Sequence, residues 1–276
     1  TQADDYFNTV LYNGNGSTQS ITNVGFQPDW TWIKNRNGAG IHGLFDSSRG
    51  VTKYLSSNST NAEATASGVT SFDSNGFSLG SAFNQSSLTF VGWNWKANGG
   101  TTSSNSDGSI TSTVQANTDA GFSIVSYTGT GANATVGHVL GVAPKMIIMK
   151  RRDADVNWVV YHEEIGNDRE ILLNTTGAQT NSNSVYFQST SPTSTVFSLG
   201  SDNYANASTD DYVAYCFAEI ESYSRFGKYT GNSSSTGDGT FVYLGFKPSF
   251  VMLKDIGGGE WGMFDNKRDS FNVATA

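Results

Sequence analysis

Basic residues are few in this chain, 16 Lys and Arg against 24 Asp and Glu for a net charge of −8, and they are scattered rather than clustered. Neutralising nucleic-acid phosphates takes clustered cations, so a nucleic-acid binder is excluded. Cysteine is nearly absent. Cys216 alone permits neither an internal disulfide nor a cysteine-based metal site, and its run Tyr212-Val213-Ala214-Tyr215-Cys216-Phe217 reads as a strand that buries it. No window approaches the roughly 18 consecutive apolar residues of a membrane-spanning helix, and Thr1-Gln2-Ala3-Asp4-Asp5 carries no signal-peptide pattern, so no membrane insertion is expected. A sustained 3.6-residue period is missing too, which leaves little room for helix. What is present is 31 Gly, 13% aromatic residues and much Ser, Thr and Asn, the composition of many short strands joined by polar turns.

One stretch is written three times. Gly25-Phe26-Gln27-Pro28-Asp29-Trp30-Thr31-Trp32-Ile33-Lys34 returns as Gly141-Val142-Ala143-Pro144-Lys145-Met146-Ile147-Ile148-Met149-Lys150 and as Gly245-Phe246-Lys247-Pro248-Ser249-Phe250-Val251-Met252-Leu253-Lys254. The shared order is Gly, two residues, Pro, five residues, Lys, which marks internal repeats. Proline is tolerated where a strand begins, and the residues after it are aromatic, β-branched or Met on both alternating faces. A strand buried on both sides is predicted at the centre of each repeat.

Other landmarks recur around it. The turn Asn13-Gly14-Asn15-Gly16 has its counterpart at Thr128 to Gly131, Phe77-Ser78-Leu79-Gly80 returns as Phe197-Ser198-Leu199-Gly200, and Phe90 to Trp95 returns as Tyr212 to Phe217. These landmarks predict an all-β fold of tandem antiparallel β-sandwiches: repeat one at residues 1–98, a Gly/Ser/Thr linker with one edge strand at 99–118, repeat two at 119–222 and a partial repeat three at 223–276. Repeat three supplies strands at Phe241 to Leu244, Phe250 to Leu253 and Trp261 to Phe264, then breaks off in mid-pattern at Asn272 to Ala276. Its apolar faces are expected to be completed by further residues of the same polypeptide, by a neighbouring subunit, or by packing on repeat two.

Residues able to carry chemistry are sparse. Asp46 and Arg49 recur as Asp265 and Arg268, while repeat two has His162-Glu163-Glu164 there and Asp168-Arg169 displaced, so a structural ion pair holding a turn is favoured over a ligand site. His42, His138 and His162 occupy unrelated positions and lack metal-ligand spacing. Ser and Thr are plentiful, but no Gly-x-Ser-x-Gly elbow follows a strand and precedes a helix, and no Ser/His/Asp order repeats. Glu163-Glu164 and Asp210-Asp211 are adjacent pairs that on a strand point to opposite faces. The Gly-rich turns lack the helix N-terminus and Lys of a phosphate cradle. Trp30, Trp32, Trp93, Trp95, Trp158 and Trp261 all lie in strands and read as core rather than as sugar platforms. No catalytic residue, cofactor or metal site is assigned on these grounds.

The words of the repeats, Gly-Phe-Gln-Pro-Asp with Trp-Ile-Lys-Asn-Arg (25–36), Phe-Asp-Ser-Ser-Arg-Gly (45–50), Val-Gly-Trp-Asn-Trp-Lys (91–96), Tyr-Val-Ala-Tyr-Cys-Phe-Ala-Glu (212–219) and Phe-Asp-Asn-Lys-Arg-Asp (264–269), resemble a repeat domain of unknown function found in tail-fibre-like virion proteins of marine bacteriophages. The resemblance implies jelly-roll or concanavalin-like sandwiches in a virion structural protein that contacts other virion proteins and a host cell-surface glycan, and it brings no site residues to carry over. Assembly as a homo-oligomer and location in a phage tail or other external virion component are expected. The alternative, a glycan-degrading enzyme on a β-sandwich scaffold, requires two carboxylates about 5 to 9.5 Å apart in a cleft, and no clustered acidic pair suggests them.

Overall fold

A computed structural model describes residues 3–234 and 237–268, and within them the chain is all-β and built of antiparallel sheets. Repeat one contains β1 (Phe7–Asn13), β2 (Gln19–Ile21), β3 (Trp30–Asn35), β4 (Gly43–Asp46), β5 (Lys53–Tyr54), β6 (Ala64–Thr65), β7 (Val69–Asp73), β8 (Gly76–Leu79) and β9 (Thr89–Trp95). One sheet runs β1-β9-β3-β4, a second β2-β8-β7, and β5 pairs with β6 alone. Val10, Tyr12, Ile33, Phe45 and Phe90 of the first face Ile21, Val69, Phe77 and Leu79 of the second, which makes the sandwich core.

Residues 99–118, expected as a linker with one edge strand, provide β10 (Ser103–Asn105) and β11 (Ser112–Asn117), and β11 pairs along its length with the next strand. The alternation of apolar Val114 with solvated Thr113 and the buried Gln115 amide, which binds Ser47 and Ser48 hydroxyls at 2.9 Å, anchors this polar segment to repeat one. Repeat two continues with β12 (Phe122–Thr128), β13 (Ala134–Gly137), β14 (Met146–Arg151), β15 (Val159–His162), β16 (Ile171–Leu172), β17 (Val196–Leu199) and β18 (Asp211–Phe217). Its large sheet runs β10-β11-β12-β18-β14-β15-β16 and is covered by the β13-β17 pair over a second core that includes Tyr127, Met149, Tyr161 and Phe197. Pro28 and Pro144 precede equivalent strands: β3 pairs with β9 and β4 as β14 pairs with β18 and β15. Buried Tyr12 bonds Phe83 O at 2.8 Å and Tyr127 bonds Ala205 O at 2.7 Å, so even the tyrosine that pins the loop is repeated.

The central strands are covered on their second faces by each other. Trp30 and Trp32 of β3 and Val91, Trp93 and Trp95 of β9 meet Phe122, Ile148, Val160, Val213, Tyr215 and Phe217 of repeat two in a third core between the two large sheets. Trp30 stacks on Tyr215 with ring centroids 4.4 Å apart.

Repeat three adds one hairpin, β19 (Phe250–Lys254) and β20 (Trp261–Asp265), whose Phe250, Met252, Trp261 and Met263 pack on that same central core. Phe241 to Leu244, predicted as a strand, forms none, and Phe241 and Tyr243 are 86% and 80% exposed. The reason is pairing. The equivalent strands β2 and β13 exist by bonding β8 and β17, and no third counterpart of β8 is present among the described residues. A Cβ on Gly14 or Gly129 would lie 2.1 Å from a carbonyl oxygen of the loop packed over it, whereas Gly231 meets nothing within 4 Å. The opposite face of the hairpin, with Leu253 and Phe264, is exposed, and the terminal stretch Asn272 to Ala276 lies outside the described residues.

Candidate functional site

The repeated polar residues have structural partners. The lysine that closes each core stretch curls back over the following turn: Lys34 Nζ donates to Asn35 O and Gly38 O, Lys150 Nζ to Arg151 O and Ala154 O, and Lys254 Nζ to Gly259 O. Burial lowers the Lys150 pKa to about 8. Asp46 and Arg49 form a buried pair in which Arg49 also donates to Leu44 O and Glu63 at 2.8 Å. Burial alone would lower the Arg49 pKa, but Asp46, Tyr215 and Glu63 outweigh it and hold it above the usual value. Asp265 and Arg268 reproduce the turn, with Nε 2.5 Å from Oδ2 and Nη2 donating to Met263 O.

Each pair is also met by an aromatic donor from another repeat. Tyr215 OH donates to Asp46 Oδ2 at 2.7 Å, and Trp93 Nε1 donates to Asp265 Oδ2 at 3.1 Å with Arg268 4.9 Å above its ring. Strand register places His162 at the position of Asp46 and Asp265, because Met146 pairs with His162 as Trp30 does with Asp46 and Phe250 with Asp265. These interlocks were invisible as such in the sequence, although the recurring Asp-x-x-Arg spacing was the trace of them.

The remaining candidates are likewise engaged or separate. Glu163 pairs with Lys145, Glu164 lies 3.8 Å from Lys228, Asp210 pairs with Arg151, and Asp211 accepts from Thr128. Asp168 and Arg169 form no ion pair among the described residues. In the Gly-rich turns the N–H groups of Gly14, Gly16, Gly129 and Gly131 all donate to backbone carbonyls, leaving no anion cradle. Cys216 is fully buried, and desolvation pushes its thiol up to about 12. No group of three metal-ligating side chains occurs among the described residues.

One concave site is built by all three repeats, whereas another, lined by Ile41, Tyr54, Phe83 and Leu88, belongs to repeat one alone. The shared site is a cleft of about 320 Å³. Repeat one contributes Trp32, His42 and Asn58, repeat two the Leu173–Thr176 segment, and repeat three Met252, Glu260, Trp261 and Met263. Hydrogen bonds fix its walls: Trp261 Nε1 donates to Leu172 O at 3.1 Å, Gly259 N to Thr176 O at 2.8 Å, and Trp158 Nε1 behind it to Ser56 O at 2.9 Å. Trp32 Nε1 donates to His42 Nδ1 at 2.9 Å, so the neutral ring carries its proton on Nε2. Burial, with repulsion from Lys34 and Arg268, lowers the His42 pKa to about 4 and keeps that ring neutral. Five tryptophans are buried as expected of core residues, but Trp261 is only half-buried and walls the cleft.

A family model described as "Domain of unknown function (DUF7483)" matches residues 2–276. No curated protein matches the chain. No solved structure matches it either.

Proposed function

The chain belongs to the DUF7483 family, whose description names no activity, and we propose that it is a non-enzymatic structural module of a bacteriophage particle, sited in a tail fibre or other external component where it meets host glycan or other virion proteins. The observation that carries this reading is the use made of the repeated polar residues. Lys34, Lys150 and Lys254 hold turns, and the Asp46–Arg49 and Asp265–Arg268 pairs lock one repeat to another. Repetition has been spent on joining repeats into one body, which suits a part that bears load and presents a surface. A hydrolase reading needs two carboxylates flanking a bond, and Glu260 is the single acidic residue lining the cleft. The wording of the repeats, which resembles that of tail-fibre-like virion proteins, supplies the virion setting, and homo-oligomeric assembly is part of the same reading.

Mass spectrometry of purified particles, paired with a reducing-sugar assay of the isolated protein on host polysaccharide, tests it. Peptides of the chain in the particle and no sugar release are expected. Absence from the particle, or time-dependent release abolished by Glu260→Gln, overturns the reading.

A further inference from the structure

We propose that the cleft shared by the three repeats binds a neutral pyranose saccharide. The proposal deepens the attachment reading above and rests on it for the source of the sugar, while its chemistry comes from the unused groups of the cleft. Its apolar lining includes Trp261, half-buried, with Met252 and Met263. The indole is pinned by its bond to Leu172 O, so it is a pre-set apolar wall rather than a ring that must be ordered on binding. Polar groups with capacity left over line the cleft as well. Asn58 Oδ1 already accepts from His42 N and Ser56 Oγ at 3.0 Å, yet its NH2 makes no bond among the described residues. The His42 Nε2–H, left over by the bond at Nδ1, has no partner among them, and neither has the exposed Glu260 carboxylate.

A ligand for this site must offer an apolar face to the indole and, on its rim, groups that accept from an amide and an imidazole while donating to a carboxylate. A pyranose ring does this: its C–H face packs on aromatic rings and each hydroxyl both donates and accepts. A volume of about 320 Å³ sits at the lower end of small-ligand sites and suits one or two rings. An anionic sugar is disfavoured. No Lys or Arg lines the cleft, Glu260 does, and the nearby cations Lys34 and Arg268 are committed to carbonyls and to Asp265.

The test is a titration of the full chain, read by tryptophan emission and saturation-transfer NMR, with the methyl pyranosides of glucose, galactose, mannose and N-acetylglucosamine, and with glucuronate as the anionic comparison. A saturable signal with at least one neutral pyranoside is expected, in the millimolar range of shallow sites. Trp261→Ala should weaken it about tenfold or more, as for the loss of a tryptophan anchor. Asn58→Asp, which keeps the acceptor for His42 and Ser56 but removes the NH2 donor, should weaken it severalfold with an unchanged melting temperature; it carries the test should Trp261→Ala fail to fold. Absence of a saturable signal with all four neutral sugars, undiminished binding in Asn58→Asp, or tighter binding of glucuronate overturns the proposal. Failure here with the chain present in particles removes the saccharide site alone, whereas sugar binding by a chain absent from particles removes the virion reading alone.

Discussion

All three histidines use Nδ1 as an acceptor: His42 from Trp32 Nε1 at 2.9 Å, His138 from Leu140 N at 3.1 Å and His162 from Glu164 N at 3.2 Å. A protonated imidazole has no lone pair to accept with, so each bond requires the neutral ring. Burial is the leading cause that lowers all three pKa values, that of His42 to about 4. In the unfolded chain ordinary histidines titrate near 6.5, so between about 6.5 and about 4 the unfolded state binds more protons and stability falls as pH falls. His42 accounts for at most about 3 kcal/mol of this. The pairing of Asp265 and Glu63, held below the ordinary carboxylate values, is lost only at still lower pH. We therefore expect the urea midpoint to change little from about pH 7.5, below the lowered Lys150 value, to about 6.5 and to drop steadily toward about pH 4, with a shallower drop in His42→Asn, whose Oδ1 can accept from Trp32 without titrating. An unchanged slope in that variant would assign the acid sensitivity to other groups.

Between elements, the Asp-x-x-Arg turns at the ends of β4 and β20 do more than close a hairpin. Their carboxylates receive Tyr215 and Trp93 from strands at the centre of other sheets, and Tyr215 OH sits 3.3 Å from Arg49 Nη2 as well. Removing the hydroxyl leaves a buried carboxylate short of a donor, a loss of about 1–3 kcal/mol. A double-mutant cycle of Tyr215→Phe with Asp46→Asn, measured by urea unfolding, should give a coupling of about 0.5–3 kcal/mol. Additivity between the two would mean that the hydroxyl is a bystander. The halves of this arrangement differ in legibility. Pro28, Pro144 and Pro248 and the lysines six residues on gave the strand frame and its register, because strand starts and period-two alternation are local properties. The aromatic partner of each aspartate is not local: Tyr215 and Asp46 are far apart in sequence, and only the pairing of whole repeats brings them together. The loss of Phe241 to Leu244 as a strand has the same origin, since its propensity is local but its missing partner is not. The cleft was unreadable for a related reason: His42, Asn58, Thr176 and Trp261 come from four separate segments.

At the scale of the molecule, the sequence announced strands buried on both faces without saying what covers the second face, and the answer, one repeat covering another, changes how the chain should unfold. Trp30, Trp32, Trp93 and Trp95 of repeat one and Phe122, Tyr215 and Phe217 of repeat two belong to one core that neither sandwich owns. Aromatic side chains bury about 150–250 Å² each, and half of that for the four tryptophans, at about 25 cal/mol per Å², comes to roughly 10 kcal/mol. That is comparable to the whole stability of a typical domain, about 5–15 kcal/mol. Repeat one without repeat two would therefore display an aromatic sheet face at a cost near its own folding free energy. Two outcomes follow. The full chain should unfold in urea as one transition, with tryptophan emission and far-UV circular dichroism superimposable. A fragment of residues 1–98 should bind a hydrophobic dye and self-associate, while Trp30→Ser and Trp93→Ser together should reduce that self-association in the fragment and destabilise the full chain. Two resolved transitions, or a monomeric fragment with the urea midpoint of the full chain, would show that the sandwiches are independent units and that the central core only holds finished domains side by side.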